Sequence, residues 1–254
     1  MKMEILFEDK NVSVVNKPAG LLVHADQKST EDTLADWVLK KYPKIKNVGE
    51  TMTLAGGKII SRPGIVHRLD KDTTGVLLIA KNQETFLFLK KQFQDRTIKK
   101  IYQAIVYGNV KNDCGIINAE IGRSKNDPRL RTAMRGKRGK LREAITEYKV
   151  LKRIKLKVRK RSDLKNSKRS DLEETFSLLE LKPKTGRTHQ IRVHMKYLNH
   201  PILCDKLYAP NLPCALGMAH LALHATSIEF DLPTGKRIKV EAPLPKDMQN
   251  AIKA

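Results

Sequence analysis

The chain has 254 residues, with 50 lysines and arginines against 27 aspartates and glutamates, so its formal net charge is +23 at pH 7. A positive field of this size attracts polyanions, and a pI near 10.0 indicates nucleic acid as the partner. No apolar run approaches the roughly 20 residues of a membrane-spanning helix, and charged residues interrupt the N-terminus where a secretory signal would lie. Composition therefore excludes a membrane protein and favours a nucleic-acid-binding one.

The three cysteines, Cys114, Cys204 and Cys214, form no C-x-x-C pair and are odd in number. We expect buried, inert thiols in a reducing compartment, and hence a cytoplasmic protein. The histidines and cysteines lack the spacing of zinc ligands, so we expect no metal site.

The first hundred residues predict short strands and two helices. The strands have alternating or continuous apolar residues bounded by turn signals, and they are 5–7, 12–15, 21–24 and 76–80. One helix is expected over about 31–42, where Ser29 and Asp32 resemble a capping box. A second helix should run from the cap residue Asn82 to about Gln94, because apolar residues recur there at helical spacing. Residues 43–62 are polar and glycine-rich and are expected to form a loop.

The remainder of the chain predicts more strands than helices. Strands are expected at 100–110, 144–151 and 175–181, and two more in the tail, joined by a turn at 233–235. A helix should begin near His189 and end near Leu198. The basic stretch 122–143 should be an exposed hairpin or loop, and the tract 152–172, with a net charge of +8, a disordered loop. This order favours an α+β fold with a mixed, mainly antiparallel sheet, in one domain (1–254) with a basic insertion at about 152–172.

A carboxylate in basic surroundings is the first candidate for chemistry. Asp70 follows His67 and Arg68 and precedes Lys71. An aspartate at a strand end is commonly a turn residue, but nearby positive charge keeps a carboxylate ionised, and an ionised carboxylate can act as a nucleophile.

Two further segments carry candidate residues. Tyr102 lies on a predicted strand, either as a core aromatic or as a platform on which a base stacks. In residues 185–194, Thr188 can cap a helix that presents His189 and Arg192 on one face, and a cationic first turn opposes the helix dipole. A phosphate-binding helix without catalysis explains the same pattern. These residues alone support a basic RNA- or DNA-binding protein and leave catalysis open.

The segment RPGIVHRLDKDTTG, residues 62–75, resembles the signature of the RluA-type RNA pseudouridine synthase family. Other motifs occur in the same order as in the family, over about residues 5–245: Asn-Lys-Pro-Ala-Gly at 16–20, the strand motif at 100–108, TGRTHQIRVHM at 185–195 and His-Pro-Ile-Leu-x-Asp at 200–205. Thr74 stands where serine is common, a change that keeps the hydroxyl. The resemblance implies the pseudouridine synthase catalytic fold and an isomerase that converts uridine to pseudouridine in RNA without cofactor or metal.

The resemblance also implies roles for individual residues. The catalytic aspartate falls on Asp70, the arginine that takes the place of the flipped base on Arg68, and the stacking tyrosine on Tyr102. The arginine that pairs with the catalytic aspartate falls on Arg192, with Arg187 as the alternative. His67, Arg187 and His189, like Arg68, are expected to bind substrate.

The RNA partner is less determined by sequence. Ribosomal RNA is expected from the basic surface, with transfer RNA as an alternative and a non-catalytic RNA-binding protein as a second. We expect a monomer. Because the sequence begins close to the first expected catalytic strand, we expect no N-terminal S4-type RNA-binding domain of the kind that many relatives carry. We also expect the abundant positive charge, including that of the 152–172 tract, to replace part of the function of that domain.

Overall fold

The computed structural model describes residues 3–25, 31–53, 57, 59–60, 62–159 and 171–253. The chain groups into two compact units: Met1–Tyr102 with His224–Leu244, and Gln103–Leu223 with Pro245–Ala254. The single-domain organisation stays a prediction.

In the described residues, strands outnumber helices. The helices are α1 (Leu34–Lys41), α2 (Gln83–Gln94), α3 (Gln190–Tyr197) and α4 (Lys246–Lys253), with a 3-10 turn at Pro43–Ile45. The strands are β1 (Glu4–Glu8), β2 (Val12–Lys17), β3 (Met52–Thr53), β4 (Ile59–Ile60), β5 (Thr74–Ala80), β6 (Lys99–Tyr107), β7 (Cys114–Asn118), β8 (Ile121–Ser124), β9 (Arg131–Thr132), β10 (Lys137–Arg142), β11 (Ile145–Arg159), β12 (Asp171–Pro183), β13 (Leu223–Asp231) and β14 (Arg237–Glu241).

The first unit is organised around β5, which is buried along its whole length. Its strands follow the order β1-β2-β5-β13, with β14 on β13, and only the β5–β13 pair is parallel. Gly75 pairs with Ala225 of β13. A side chain at Gly75 would lie 2.2 Å from the Ala225 carbonyl oxygen, so the glycine that ends the 62–75 motif is required by the close approach of β13.

In the second unit, the paired strands that the structure describes fall into two groups. β11 pairs antiparallel with β12 on one side and β7 on the other. A three-stranded antiparallel sheet, in the order β10-β8-β9, covers residues 121–142 and is named here the basic sheet. A small core of Ile121, Ala133, Ala144, Val193 and Tyr208 is shared by the basic sheet, α3 and the segment after it.

The α+β class with a mainly antiparallel sheet is confirmed, as are the hairpin of β1 and β2, the helix capped by Asn82, and the strand pair in the tail. Other details differ. Residues 21–24 form no strand, because the Leu22 and Val23 carbonyls accept the N–H groups of α1. The capping box of α1 is Thr33 with Asp36, and the predicted cap Ser29 lies outside the described residues.

The prediction of a loop over 152–172 is wrong at both ends. β11 continues to Arg159 and β12 begins at Asp171, while 160–170 lie outside the described residues. The strands persist because buried Ile154 pairs with buried Phe176, and because Lys155 forms an ion pair with Glu173 at 3.3 Å. The Glu173 carboxylate on the opposite strand therefore offsets the charge of Lys155 near the start of the tract.

The expectation of three buried thiols is also wrong. Cys204 and Cys214 form a disulfide, and Cys114 is exposed on β7. The pairing closes the segment between the two cysteines, a contact that their sequence spacing did not indicate.

Candidate active site

The first unit presents Asp70 on the segment between Ile65 and β5. The Asp70 side chain is half-buried, its neighbour Leu69 is buried, and Arg68 is exposed. The Asp70 carbonyl oxygen accepts the N–H of Thr73 at 3.2 Å, which closes a turn directly before β5. The buried leucine and the turn together fix the backbone on both sides of the carboxylate.

Lys17, at the end of β2, holds this segment through hydrogen bonds to main-chain carbonyls. Its side chain is fully buried, and its ammonium donates to three main-chain carbonyls: Pro18 at 2.9 Å, Leu21 at 2.8 Å and Lys71 at 2.8 Å. Burial lowers the pKa of Lys17 to about 7, and the Asp72 and Asp70 carboxylates oppose that shift. Because Lys71 follows Asp70 directly, Lys17 holds the carboxylate-bearing backbone against the turn at 18–21.

His67 packs inside the protein against Leu78 and Phe93. Its Nε2 accepts the N–H of Leu78 at 2.9 Å, and its ring stacks on Phe93 with 4.9 Å between ring centres. Burial, followed by the charges of Lys100 and Arg62, lowers the pKa of His67 to about 3. The ring is therefore neutral at physiological pH and braces the segment that presents Arg68.

Tyr102, on β6, lies close enough to Asp70 for the two groups to interact electrically. Burial raises the pKa of the Tyr102 hydroxyl, and the Asp70 carboxylate raises it further. The hydroxyl therefore stays protonated. The structure thus brings together two of the predicted site residues, an aromatic ring and a carboxylate.

In the second unit, the turn before α3 is organised by Gln190. Its Oε1 accepts from the Thr185 hydroxyl at 2.7 Å and the Arg187 N–H at 3.0 Å, and its Nε2 donates to the Ile145 carbonyl at 3.0 Å. The N-cap position of α3 is His189 in a left-handed conformation (φ 56°), with no side-chain cap, so the predicted cap by Thr188 is wrong. The Gln190 side chain instead ties the first turn of α3 to β11 through the Ile145 carbonyl and the Thr146 hydroxyl.

Arg192 is a buried arginine with a defined orientation. Its Nε and Nη2 donate to the two carboxylate oxygens of Asp205, each at 2.8 Å. Its guanidinium also lies 5.0 Å from the centre of the Tyr208 ring, within the range of a cation–π contact. Asp205 in turn accepts the N–H groups of Leu207 and Tyr208. A two-point ion pair of this kind fixes the plane of the guanidinium.

The other predicted binding residues lie near the start of α3. Arg187 is half-buried, and its Nε donates to the Glu143 carbonyl at 2.9 Å. His189 Nδ1 lies 2.9 Å from the Tyr208 hydroxyl, with the rings edge to face. Tyr208 therefore links two predicted site residues, His189 and Arg192.

The basic sheet carries a cross-strand row of arginines. Arg123 of β8 pairs with Arg131 of β9 on one side and Arg138 of β10 on the other, and these three residues are named here the arginine row. Like charges directly opposite one another destabilise a sheet. Arg123 and Arg138 are exposed. The row therefore indicates a surface suited to a polyanion.

Sequence reasoning missed three residues that hold the candidate site. Lys17 was identified only as part of a motif, and Asp205 only as the end of another. Tyr208 was not identified at all. Their roles depend on contacts distant in sequence, such as Lys17 with Lys71, and no spacing rule indicates them.

Within the described ranges, no three histidine, cysteine or acidic residues are grouped as metal ligands would be. None of the helices described is both long and apolar enough to cross a membrane.

A family model described as RNA pseudouridylate synthase matches residues 11–197, which is more than half of the chain. The chain belongs to this family, as its resemblance to the RluA type indicated. It is an isomerase that converts uridine to pseudouridine in RNA.

Curated relatives agree with the family. The chain is 37% identical to the uncharacterized RNA pseudouridine synthase YlyB of Bacillus subtilis, over 99% of this chain and 72% of that protein. It is 41% identical to the ribosomal large subunit pseudouridine synthase D of Borreliella burgdorferi, over 95% of this chain but less than two thirds (65%) of that relative.

Solved structures agree on the fold. Human RNA Pseudouridylate Synthase Domain Containing 1 has a TM-score of 0.70 at 23% identity, covering 96% of this chain and 84% of that one. Domain Containing 4 has a TM-score of 0.66 at 25% identity, covering 98% and 92%.

Proposed function

We propose that Asp70 is the catalytic carboxylate of this pseudouridine synthase and that Tyr102 holds the target base. The observation that carries the proposal is the placement of the half-buried Asp70 carboxylate, on a turn held by buried Lys17, near the Tyr102 hydroxyl. The resemblance assigns to Arg192, which Asp205 orients, the role of the arginine that pairs with the catalytic aspartate, with Arg187 as the alternative.

The exposed side chain of Arg68 fits the role of occupying the space that the target base vacates. A protein carboxylate cannot reach a uridine inside a stacked helix, so the nucleotide must be extruded at a cost of a few kcal/mol. Asp70 then promotes cleavage of the glycosidic bond, and the base rotates and rejoins the sugar through carbon. His67 supports this step indirectly by bracing the backbone of Arg68, while Arg187 and His189 contact the RNA.

We propose ribosomal RNA as the substrate. The support is the 41% identity to a relative named for the ribosomal large subunit, together with the exposed arginines of the basic sheet. Transfer RNA is the competing substrate, since phosphate contacts carry no sequence information.

The test is pseudouridine mapping of total RNA from cells with and without the protein. We expect the loss of one or a few ribosomal sites, restored by the wild type but not by Asp70→Asn. Sites lost only in transfer RNA would overturn the proposal that ribosomal RNA is the substrate. Purified Arg192→Gln should lose kcat, whereas Arg187→Gln should mainly raise KM; the reverse would exchange their roles.

We also propose that the enzyme works in the cytoplasm as a monomer without cofactor or metal. Its RNA substrate supports the first point. Recovery in a membrane or extracellular fraction, a native mass of twice the chain mass, or loss of activity on dialysis against a chelator would each count against one of these statements.

A further inference from the structure

The Tyr208 hydroxyl occupies the point where the basic sheet meets α3. It accepts the main-chain N–H of Arg131 at 3.1 Å and lies 2.9 Å from His189 Nδ1. In the arrangement that satisfies both neighbours, the hydroxyl accepts from Arg131 and donates to His189, whose proton then resides on Nε2. One buried oxygen therefore ties the arginine row to the N-cap position of α3.

The Tyr208 ring makes a second, separable set of contacts. It is 3% exposed and packs against Ile121 and Ala133 from the basic-sheet segment and Val193 from α3. The Arg192 guanidinium lies over its face. The ring therefore supports Arg192, while the hydroxyl holds Arg131.

The Tyr208 hydroxyl stabilises the position of β9, which is a short strand. β9 has only two residues, Arg131 and Thr132, and Arg131 faces the positive charge of Arg123 across the sheet. Repulsion along the arginine row favours separation of β9 from β8. A hydrogen bond from the Arg131 main chain to a buried hydroxyl opposes that separation.

We propose that Tyr208 is a positioning residue that couples the arginine row, as an RNA-contacting surface, to the orientation of Arg192. This inference rests on the proposed function, because it assigns the row to RNA and Arg192 to catalysis. The Tyr208 hydroxyl holds the strand of the arginine row that contacts RNA, and the Tyr208 ring supports the guanidinium of Arg192. Changes at the hydroxyl and at the ring therefore have different kinetic consequences.

The experiment compares Tyr208→Phe, Tyr208→Leu and the control Tyr197→Phe, an exposed tyrosine at the end of α3. The substrate is a transcript of large-subunit ribosomal RNA. Tyr208→Phe removes the hydrogen bond to the Arg131 N–H. It should therefore raise KM about fivefold to tenfold, with kcat within about twofold of the wild type. Tyr208→Leu should also lower kcat at least about tenfold, and Tyr197→Phe should match the wild type.

A binding readout separates coupling from loss of structure. Tyr208→Phe should make the slope of log K against log salt shallower by about 1 to 2, since each phosphate contact contributes about 0.9. In an Arg123→Gln, Arg138→Gln background, Tyr208→Phe should add less than about twofold to KM, because the row it acts through is already impaired.

Three outcomes overturn the coupling. The first is a wild-type KM and salt slope in Tyr208→Phe. The second is a fall in kcat of Tyr208→Phe that is as large as the rise in its KM. The third is full additivity of the effects of Tyr208→Phe and the arginine substitutions on KM. Any of them, with Asp70→Asn inactive, overturns the coupling alone. An active Asp70→Asn overturns the proposed function instead, and the salt slope still decides whether Tyr208 supports RNA binding.

Discussion

The segment that carries Asp70 is fixed through its main chain, whereas the helix that carries Arg192 is fixed through side chains. On the Asp70 side, the carbonyls of Asp70 and Lys71 take the hydrogen bonds from Thr73 and Lys17. On the Arg192 side, the carboxylate of Asp205 and the ring of Tyr208 contact the guanidinium itself. The position of the Asp70 segment is therefore set by main-chain hydrogen bonds, while the orientation of the Arg192 guanidinium is set by the groups that it contacts.

The largest expected effect tests the side-chain clamp. Asp205→Asn breaks a buried ion pair and should lower the free energy of unfolding by about 3–5 kcal/mol, measured by urea denaturation. The matched control is Asp113→Asn, because Asp113 also pairs with an arginine, Arg153, but its side chain is 82% exposed against 0% for Asp205.

The control should lose less than about 1 kcal/mol. Equal losses in the two variants would show that the Arg192–Asp205 pair is no more than a surface contact.

The main-chain clamp gives the next largest effect. Lys17→Met removes the ammonium that holds the Lys71 carbonyl, and a displacement of about 1 Å at the neighbouring carboxylate can cost about a hundredfold in kcat. We therefore expect kcat to fall about a hundredfold while KM changes little, measured by steady-state kinetics on protein shown to be folded.

Lys10→Met, at an exposed lysine of the β1–β2 turn, is the control and should behave as the wild type. A Lys17→Met enzyme with normal kcat would mean that the turn closed by Thr73 positions Asp70 without help.

The smallest effect is a pH dependence at His67. Its folded-state pKa, about 3, lies below the ordinary value of 6.5, so the unfolded chain binds the proton first. The stabilisation from the neutral ring is complete above pH 6.5 and is lost as the pH falls toward 3. The wild type should therefore lose about 1 kcal/mol relative to His67→Gln between about pH 7.5 and pH 5.5.

Thermal or urea denaturation at several pH values measures this difference. A wild-type and a His67→Gln curve that stay parallel over the range would mean that the ring accepts a proton in the folded state.

Local sequence patterns predicted the elements whose determinants are local. Asn82 starts α2 because its side chain accepts the N–H of Thr85 three residues on. The β1–β2 hairpin follows from the turn at 9–11, where the Asp9 side chain accepts the N–H groups of Asn11 and Val12. Elements held by distant partners were not predictable in this way. β11 and β12 extend beyond their predicted ends because each supplies the other's partners, as Ile154 and Phe176 show.

The candidate site shows the same division. Motif resemblance identified Asp70, Tyr102 and Arg192, since each lies inside a recognisable segment. The residues that hold them became visible only in three dimensions: Lys17 is 54 positions from its Lys71 partner, and Tyr208 is 77 positions from Arg131. Composition alone also misled at the start of the basic tract, where Lys155 serves an internal ion pair with Glu173.

The most direct test of the catalytic assignment uses purified enzyme and a ribosomal RNA transcript labelled with tritium at uridine C5. Formation of pseudouridine releases that hydrogen to solvent, so the assay follows the reaction itself. The wild type should release tritium, and Asp70→Asn should be slower by on the order of a thousandfold or more while binding the transcript with unchanged affinity. Release by a clean Asp70→Asn preparation within about tenfold of the wild-type rate would contradict the assignment of Asp70 as the catalytic carboxylate.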